Sequence, residues 1–227
     1  MNLSKKMLSV LAPTATAAAA AVAAGPAMAG LTPIVESSTE ATHLDIFNAT
    51  YGGGFSASGA GFVSSDVTVE RVDDAEDISF GFGSFTAQSI ARFASLDQSF
   101  GYVDAEGDFQ MLFEETGSGF DVTGSVGETT LDTPVTFARL GTGGVVSSDP
   151  TANSDGEDHL ITYKVTSGSD EFYVLFFEDL FGSAADNDFQ DLVVEVRAIS
   201  AVPTPAAAGL GLVLMGGLAF RRRRDGV

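Results

Sequence analysis

The chain of 227 residues has no cysteine, no tryptophan and only two histidines, and its 11 Lys and Arg stand against 31 Asp and Glu. Without cysteine there is neither a disulfide framework nor a thiol nucleophile, so stability has to come from burial, hydrogen bonds and bound ions. Two histidines and no G-x-S-x-G elbow leave paired carboxylates as the only catalytic apparatus the residue types permit, and glycoside hydrolysis is a reaction that uses such a pair. Nothing in the sequence positions a pair, so the chain reads as a protein that is not an enzyme. Four tyrosines and no tryptophan also weaken the case for a sugar-stacking face. Basic residues are scarcer than the total suggests. Six lie at the ends, as Lys5, Lys6 and Arg221 to Arg224, while only one acidic residue, Asp225, lies there. The segment from Gly30 to Val202 therefore carries five basic and 30 acidic residues. Such a balance repels nucleic acid and anionic lipid and attracts divalent cations, although an acidic surface also suits a saline habitat.

The two ends read as export and sorting segments. Lys5 and Lys6, an alanine-rich apolar stretch from Met7 to Ala24, and Gly25-Pro26-Ala27-Met28-Ala29 follow the order of a secretory signal peptide. Ala27 and Ala29 supply the small-residue cleavage pattern, so residues 1–29 are expected to be removed. At the other end, Pro203-Thr204-Pro205 precedes an apolar run from Ala206 to Phe220, and Arg221, Arg222, Arg223 and Arg224 follow. A basic block stays on the cytoplasmic side, which puts everything before Pro203 outside. The apolar run is short against the roughly 20 residues that a membrane span prefers. The tail from Val202 to Arg224 resembles the PEP-CTERM sorting signal, made of a short proline motif, a hydrophobic helix and an arginine cluster. That resemblance implies an exosortase-type sorting peptidase as partner, a membrane contact through the C-terminal helix that is at least transient, and an association with exopolysaccharide and biofilm. Thr204 stands where that signal usually has Glu, and a plain C-terminal anchor is the alternative.

Between the ends, short β-branched and aromatic runs alternate with Gly, Ser, Asp and Asn clusters, the pattern of an all-β fold built as a single β-sandwich of jelly-roll type. Residues 30–42, rich in Thr, Ser and Glu, read as a loose arm, residues 43–201 as the sandwich and residues 202–227 as the sorting or anchor segment. The alternation predicts strands over Val67–Val72, Ile78–Phe82, Val135–Leu140, His159–Thr166, Phe172–Phe177 and Leu192–Ile199. Ile90, Phe93 and Ala94, spaced three and four apart, predict one short helix over Thr86–Leu96.

The chemistry concentrates after Phe177. Glu178 and Asp179 end one strand, a glycine-containing loop follows, and Asp186, Asn187, Asp188 and Asp191 precede the next strand. Hard oxygen ligands gathered on one irregular loop suit Ca²⁺, which takes six to eight of them with flexible geometry, better than Mg²⁺. The spacing is not that of an EF-hand. The plainer alternative is that these residues cap turns, but carboxylates so crowded repel one another unless a cation sits among them. Asp73, Asp74, Glu76 and Asp77, like Asp104, Glu106 and Asp108, read as solvated turns, and His159 as an ordinary strand residue. The segment Tyr173 to Val196, with Asp158-His159-Leu160-Ile161-Thr162-Tyr163 upstream, is similar to the domain of unknown function 4114 family of secreted bacterial proteins. That resemblance implies a β-rich domain often followed by a PEP-CTERM tail, with no established activity. The expectation is a non-catalytic protein of the cell surface or extracellular matrix with a calcium-stabilised β domain and a link to exopolysaccharide and biofilm. The alternative is a calcium-dependent carbohydrate-binding module.

Overall fold

The alternating runs pair as expected, but into a larger sheet than a simple sandwich needs. A computed structural model of the chain describes residues 30–199, apart from positions 38, 82, 96, 118, 121–124 and 142. The signal peptide, the PEP-CTERM-like tail, and with them Ala27, Ala29, Pro203, Pro205 and Arg221 to Arg224, lie outside the described residues. A helix α1 (His43–Tyr51) is followed by thirteen strands: β1 (Ser56–Ser58), β2 (Gly61–Val63), β3 (Val67–Arg71), β4 (Ser84–Arg92), β5 (Gln98–Val103), β6 (Phe109–Glu115), β7 (Gly119–Phe120), β8 (Val126–Thr130), β9 (Thr136–Gly141), β10 (Gly144–Ser147), β11 (Leu160–Ser167), β12 (Asp170–Phe177) and β13 (Leu192–Ala198). Among the described residues they form one nine-stranded sheet, ordered β1-β2-β3-β11-β12-β13-β4-β7 with β8 also on β4, and one four-stranded sheet, ordered β10-β9-β5-β6. The fold is mostly β and has the two sheets of a sandwich.

Strand β12 shows why the core holds. Its run Phe172-Tyr173-Val174-Leu175-Phe176-Phe177 is apolar on both faces because both faces are covered. Phe172, Val174 and Phe176 join Ile46 and Phe47 of α1, Val69, Ile161, Tyr163 and Phe189 in one cluster. Leu175 and Phe177 join Phe85, Phe100, Phe113, Phe137 and Val194 in the other, where the small sheet packs. The molecule is thus helix on sheet on sheet. Helix α1 is held at its start by a capping box, in which the Asp45 N–H donates to Thr42 Oγ1 and the Thr42 N–H to the Asp45 carboxylate, and it ends at Gly52 in the left-handed region (φ 93°).

The expected helix over Thr86–Leu96 is a strand instead. Phe85, Ala87 and Ser89 alternate as a strand does, but the register with β13 jumps from Ala91–Val193 to Ser89–Val194, leaving Ile90 as the extra residue of a bulge. The bulge shifts the alternation by one, so Ile90 and Ala91 turn to the helix-side cluster, where Phe93 also packs, and the three-and-four spacing of Ile90, Phe93 and Ala94 arises without a helix. Among the described residues of the run Ile78–Phe82 there is no strand either, and Phe80 forms an isolated bridge with Val135. The other predicted strands coincide with β3, β9, β11, β12 and β13 within a residue or two at their ends. No helix among the described residues is long and apolar enough to cross a membrane.

Candidate metal centre

The loop between β12 and β13 is fixed from three directions before any ion is considered. From the small sheet, Arg139 of β9 is fully buried and donates from Nε to the Glu178 carbonyl (3.2 Å), from Nη2 to the Asp179 carbonyl (2.6 Å) and from Nη1 to Gln98 Oε1 (2.9 Å). From the helix side, His43 Nε2 donates to the Asp188 carbonyl at 2.7 Å, while its Nδ1 accepts from the Tyr163 hydroxyl at 3.0 Å. A carbonyl can only accept, which assigns the proton to Nε2. Burial keeps this ring neutral by pulling its pKa down to about 4. From the N-terminal arm, the Val35 N–H donates to the Asn187 carbonyl at 2.8 Å, and Gln190 Nε2 bridges Glu40 and Asp188. Within the loop, Asn187 (φ 61°) and Phe189 (φ 59°) both adopt left-handed backbone. That conformation is costly for phenylalanine, and the buried Phe189 ring in the helix-side cluster holds it.

This framework brings Glu178, Asp188 and Asp191 together, each offering an oxygen within 4.8 Å of the others. Glu178 is 1 % and Asp188 2 % exposed. The Glu178 carboxylate accepts from the Leu180 and Asn187 N–H groups (3.0 and 2.9 Å), and Asp191 Oδ2 accepts from the Asp179 N–H (2.7 Å). The remaining expected ligands are placed differently. Asp179 turns its carboxylate to Gln98 Nε2 at 2.8 Å, Asp186 is exposed, and Asn187 contributes its backbone N–H while its side chain is exposed. Asp186 and Asp179 still act through charge. Burial raises Asp188 to about 7, with the Asp186 charge adding to it. It also raises Asp191 and Glu178, with Asp179 the largest charge acting on Asp191 and Asp186 on Glu178. No salt bridge among the described residues reaches any of the three.

Beside the cluster lies a polar cleft of about 210 Å³, lined by Glu157, Asp158, His159, Glu178 and Asn187. His159 is buried and donates from Nε2 to the Asp155 carboxylate, whose Oδ2 also accepts from the Gly182 N–H at 3.0 Å, so the two loops that wall the cleft are tied together. Arg139, Gln98, His43 and Gln190 were not singled out from the sequence. Arg139 left a trace there as a cation two residues from Phe137 on an alternating strand.

Two predictions arise here. A Cβ on Gly141 would collide with the Arg139 guanidinium, which three hydrogen bonds prevent from moving aside. Gly141→Ala is expected to destabilise the protein by about 1–3 kcal/mol in urea denaturation. The second concerns pH in the presence of chelator. Because the folded-state pKa values of Asp188 and Asp191 lie above the unfolded carboxylate value, the folded protein retains protons that the unfolded chain releases. Stability then falls as pH rises from about 4, through about 7 for Asp188 and beyond for Asp191. The urea midpoint of chelated protein is expected to decline steadily between about pH 5 and pH 9.

Fold and site together define a mostly β, two-sheet domain with a buried acidic loop at the exit of a central strand. Residues 120–198, which contain β11, β12, β13 and the whole carboxylate loop, match the sequence profile of a family described as Domain of unknown function (DUF4114). No curated protein matches the chain.

Proposed function

We propose that this chain is an exported, non-catalytic protein of the cell surface or extracellular matrix, whose β domain is locked by calcium at Glu178, Asp188 and Asp191. The observation that carries the reading is the convergence of three carboxylates, two of them buried, with no salt-bridge partner among the described residues. Buried carboxylates so arranged either take up protons or hold a cation, and an all-oxygen, irregular donor set suits calcium. Asp186 and Asp179 supply further negative charge around the ion. The signal-peptide pattern and the PEP-CTERM-like tail support export, processing by an exosortase-type peptidase and a place near extracellular polysaccharide.

A calcium-dependent carbohydrate-binding module is the second reading, favoured by the polar cleft beside Glu178. At about 210 Å³ that cleft is below the roughly 300–1,000 Å³ of usual ligand pockets. The structural role therefore ranks first. Melting curves in calcium, in magnesium and in chelator test it: a rise specific to calcium is expected, and equal curves in all three would remove the proposal. Retention on extracellular polysaccharide only when calcium is present would promote the second reading.

A further inference from the structure

The N-terminal arm runs ahead of α1, and its described residues take no part in either sheet. It is fastened all the same, to places far apart in the chain. Thr32 donates from its N–H and its hydroxyl to Asp74 Oδ2 (2.5 and 2.8 Å), and the same hydroxyl lies 3.1 Å from Asp158 Oδ2. Three residues on, the Val35 N–H donates to the Asn187 carbonyl at 2.8 Å. Between these anchors Ile34 packs on the helix-side cluster. Asp158 and Asn187 both line the polar cleft beside the carboxylates, so a short run of arm joins its two walls. Further along, Glu40 accepts from Gln190 Nε2 at 2.8 Å.

The groups that the arm holds are the ones that aim the carboxylates. Asn187, its carbonyl gripped by Val35, presents its own N–H to the Glu178 carboxylate at 2.9 Å. Its left-handed backbone (φ 61°) is uncommon even for asparagine, and a hydrogen bond at its carbonyl helps to keep it. Gln190 Nε2, shared with Glu40, also donates to Asp188 Oδ2 at 2.8 Å. Two of the three carboxylates are therefore one hydrogen bond removed from a group that the arm holds. The arm itself is held lightly: none of residues 30–37 is buried, whereas Glu178 and Asp188 are. Segments with few buried contacts open locally at a small fraction of the free energy that unfolding takes.

We propose that the arm is a strap on the metal loop. Docked, it holds Glu178 and Asp188 around calcium and slows the ion's release; lifted, it frees Asn187 and Gln190 and lets the ion go. The proposal rests on the calcium reading of the loop. It makes arm docking and ion binding favour each other, because coupling between two binding events is reciprocal. The direct tie from the Gly182 N–H to the Asp155 carboxylate (3.0 Å) keeps the cleft walls together while the arm is off, so the opening stays local.

Two variants lift the strap without touching a ligand. Thr32→Val keeps the shape and removes the hydroxyl, and Val35→Pro removes the donor to Asn187. When the calcium-loaded full chain is mixed with chelator in a stopped-flow instrument, each variant is expected to release calcium about three- to tenfold faster than wild type, the effect of one lost hydrogen bond. A merely structural role for the arm would lower the melting temperature of chelated protein and leave that rate alone. Hydrogen exchange of residues 31–37 tests the reverse direction. It is expected to slow when calcium is added to wild type and to ignore calcium in the pair Asp188→Asn with Asp191→Asn. If wild type binds calcium but both folded variants release it at the wild-type rate and the ion leaves exchange of the arm unchanged, the strap is overturned and the loop site stands. If calcium titration of wild type shows no binding, both fall.

Discussion

Replacing Asp188 and Asp191 together by asparagine is expected to erase the rise in melting temperature produced by loop-bound calcium and, at the same time, to raise the melting temperature of chelated protein. Asp191 accepts from the Asp179 N–H and Asp188 from Gln190, through its Nε2 and its backbone N–H, and asparagine keeps an accepting oxygen at each position. What is lost is charge, and in the metal-free protein that charge is buried and crowded by Glu178, Asp179 and Asp186. A ligand at about one hundred times its dissociation constant stabilises the folded state by about 2.7 kcal/mol. For a domain of this size, that corresponds to a shift of roughly 5–11 °C. Scanning calorimetry of wild type and double variant, with calcium and with chelator, gives four melting temperatures. Two that respond to calcium alike would mean that the ion sits elsewhere, and a chelated variant melting below the wild type would mean that the carboxylates contribute something besides repulsion.

Arg139→Met is expected to be the most damaging single substitution at the site. Methionine fills much of the volume but leaves the carbonyls of Glu178 and Asp179 and the Gln98 amide oxygen without their donor. Unsatisfied buried acceptors cost about 1–3 kcal/mol each, so a loss of about 3–5 kcal/mol is expected, a drop of roughly 6–20 °C in melting temperature. Arg139→Lys is expected to recover only part of it, because one ammonium cannot reproduce a planar fork that addresses three acceptors. Since two of those acceptors belong to the peptide units that carry Glu178 and Asp179, calcium affinity is expected to fall by at least about tenfold, an interaction loss of about 1.4 kcal/mol. Urea denaturation and calcium titration of the three proteins check both statements. A full affinity in a destabilised Arg139→Met would show that the guanidinium supports the sheet without positioning the loop.

What could be read from the residues follows the range of the forces involved. Strands β3, β9, β11, β12 and β13 were legible because alternation is a local signal and nothing interrupts it there. Strand β4 was misread because Ile90 bulges, and the partners between which the register slips, Val193 and Val194 on β13, lie more than a hundred positions away. Helix α1 was missed because its nine residues include His43, Asn48, Thr50 and two aromatic residues, none of them strong helix formers, and because it forms chiefly by burying Ile46 and Phe47 on the sheet. At the site, the loop carboxylates were visible as composition. Their framework was not, since Gln98, Arg139 and His43 reach the loop across 40 to 145 positions in sequence. Asp77, expected in a solvated turn but 1 % exposed, illustrates the limit most sharply, because four acidic residues in a five-residue stretch look alike until one of them is buried.

The strand order bears on where this molecule can be cut. Strands β3 and β4 flank the β11–β12–β13 trio on its two sides, so the segment 67–92 brackets strands that lie about seventy or more positions later. A fragment limited to residues 120–198 would leave both the β11 and the β13 side of the trio bare, and its helix-side cluster would lack Ile46, Phe47, Phe55, Phe62, Val69, Ile90 and Ala91. Such naked rims invite intermolecular pairing. The stretch that matches the family profile is therefore smaller than the stretch that folds.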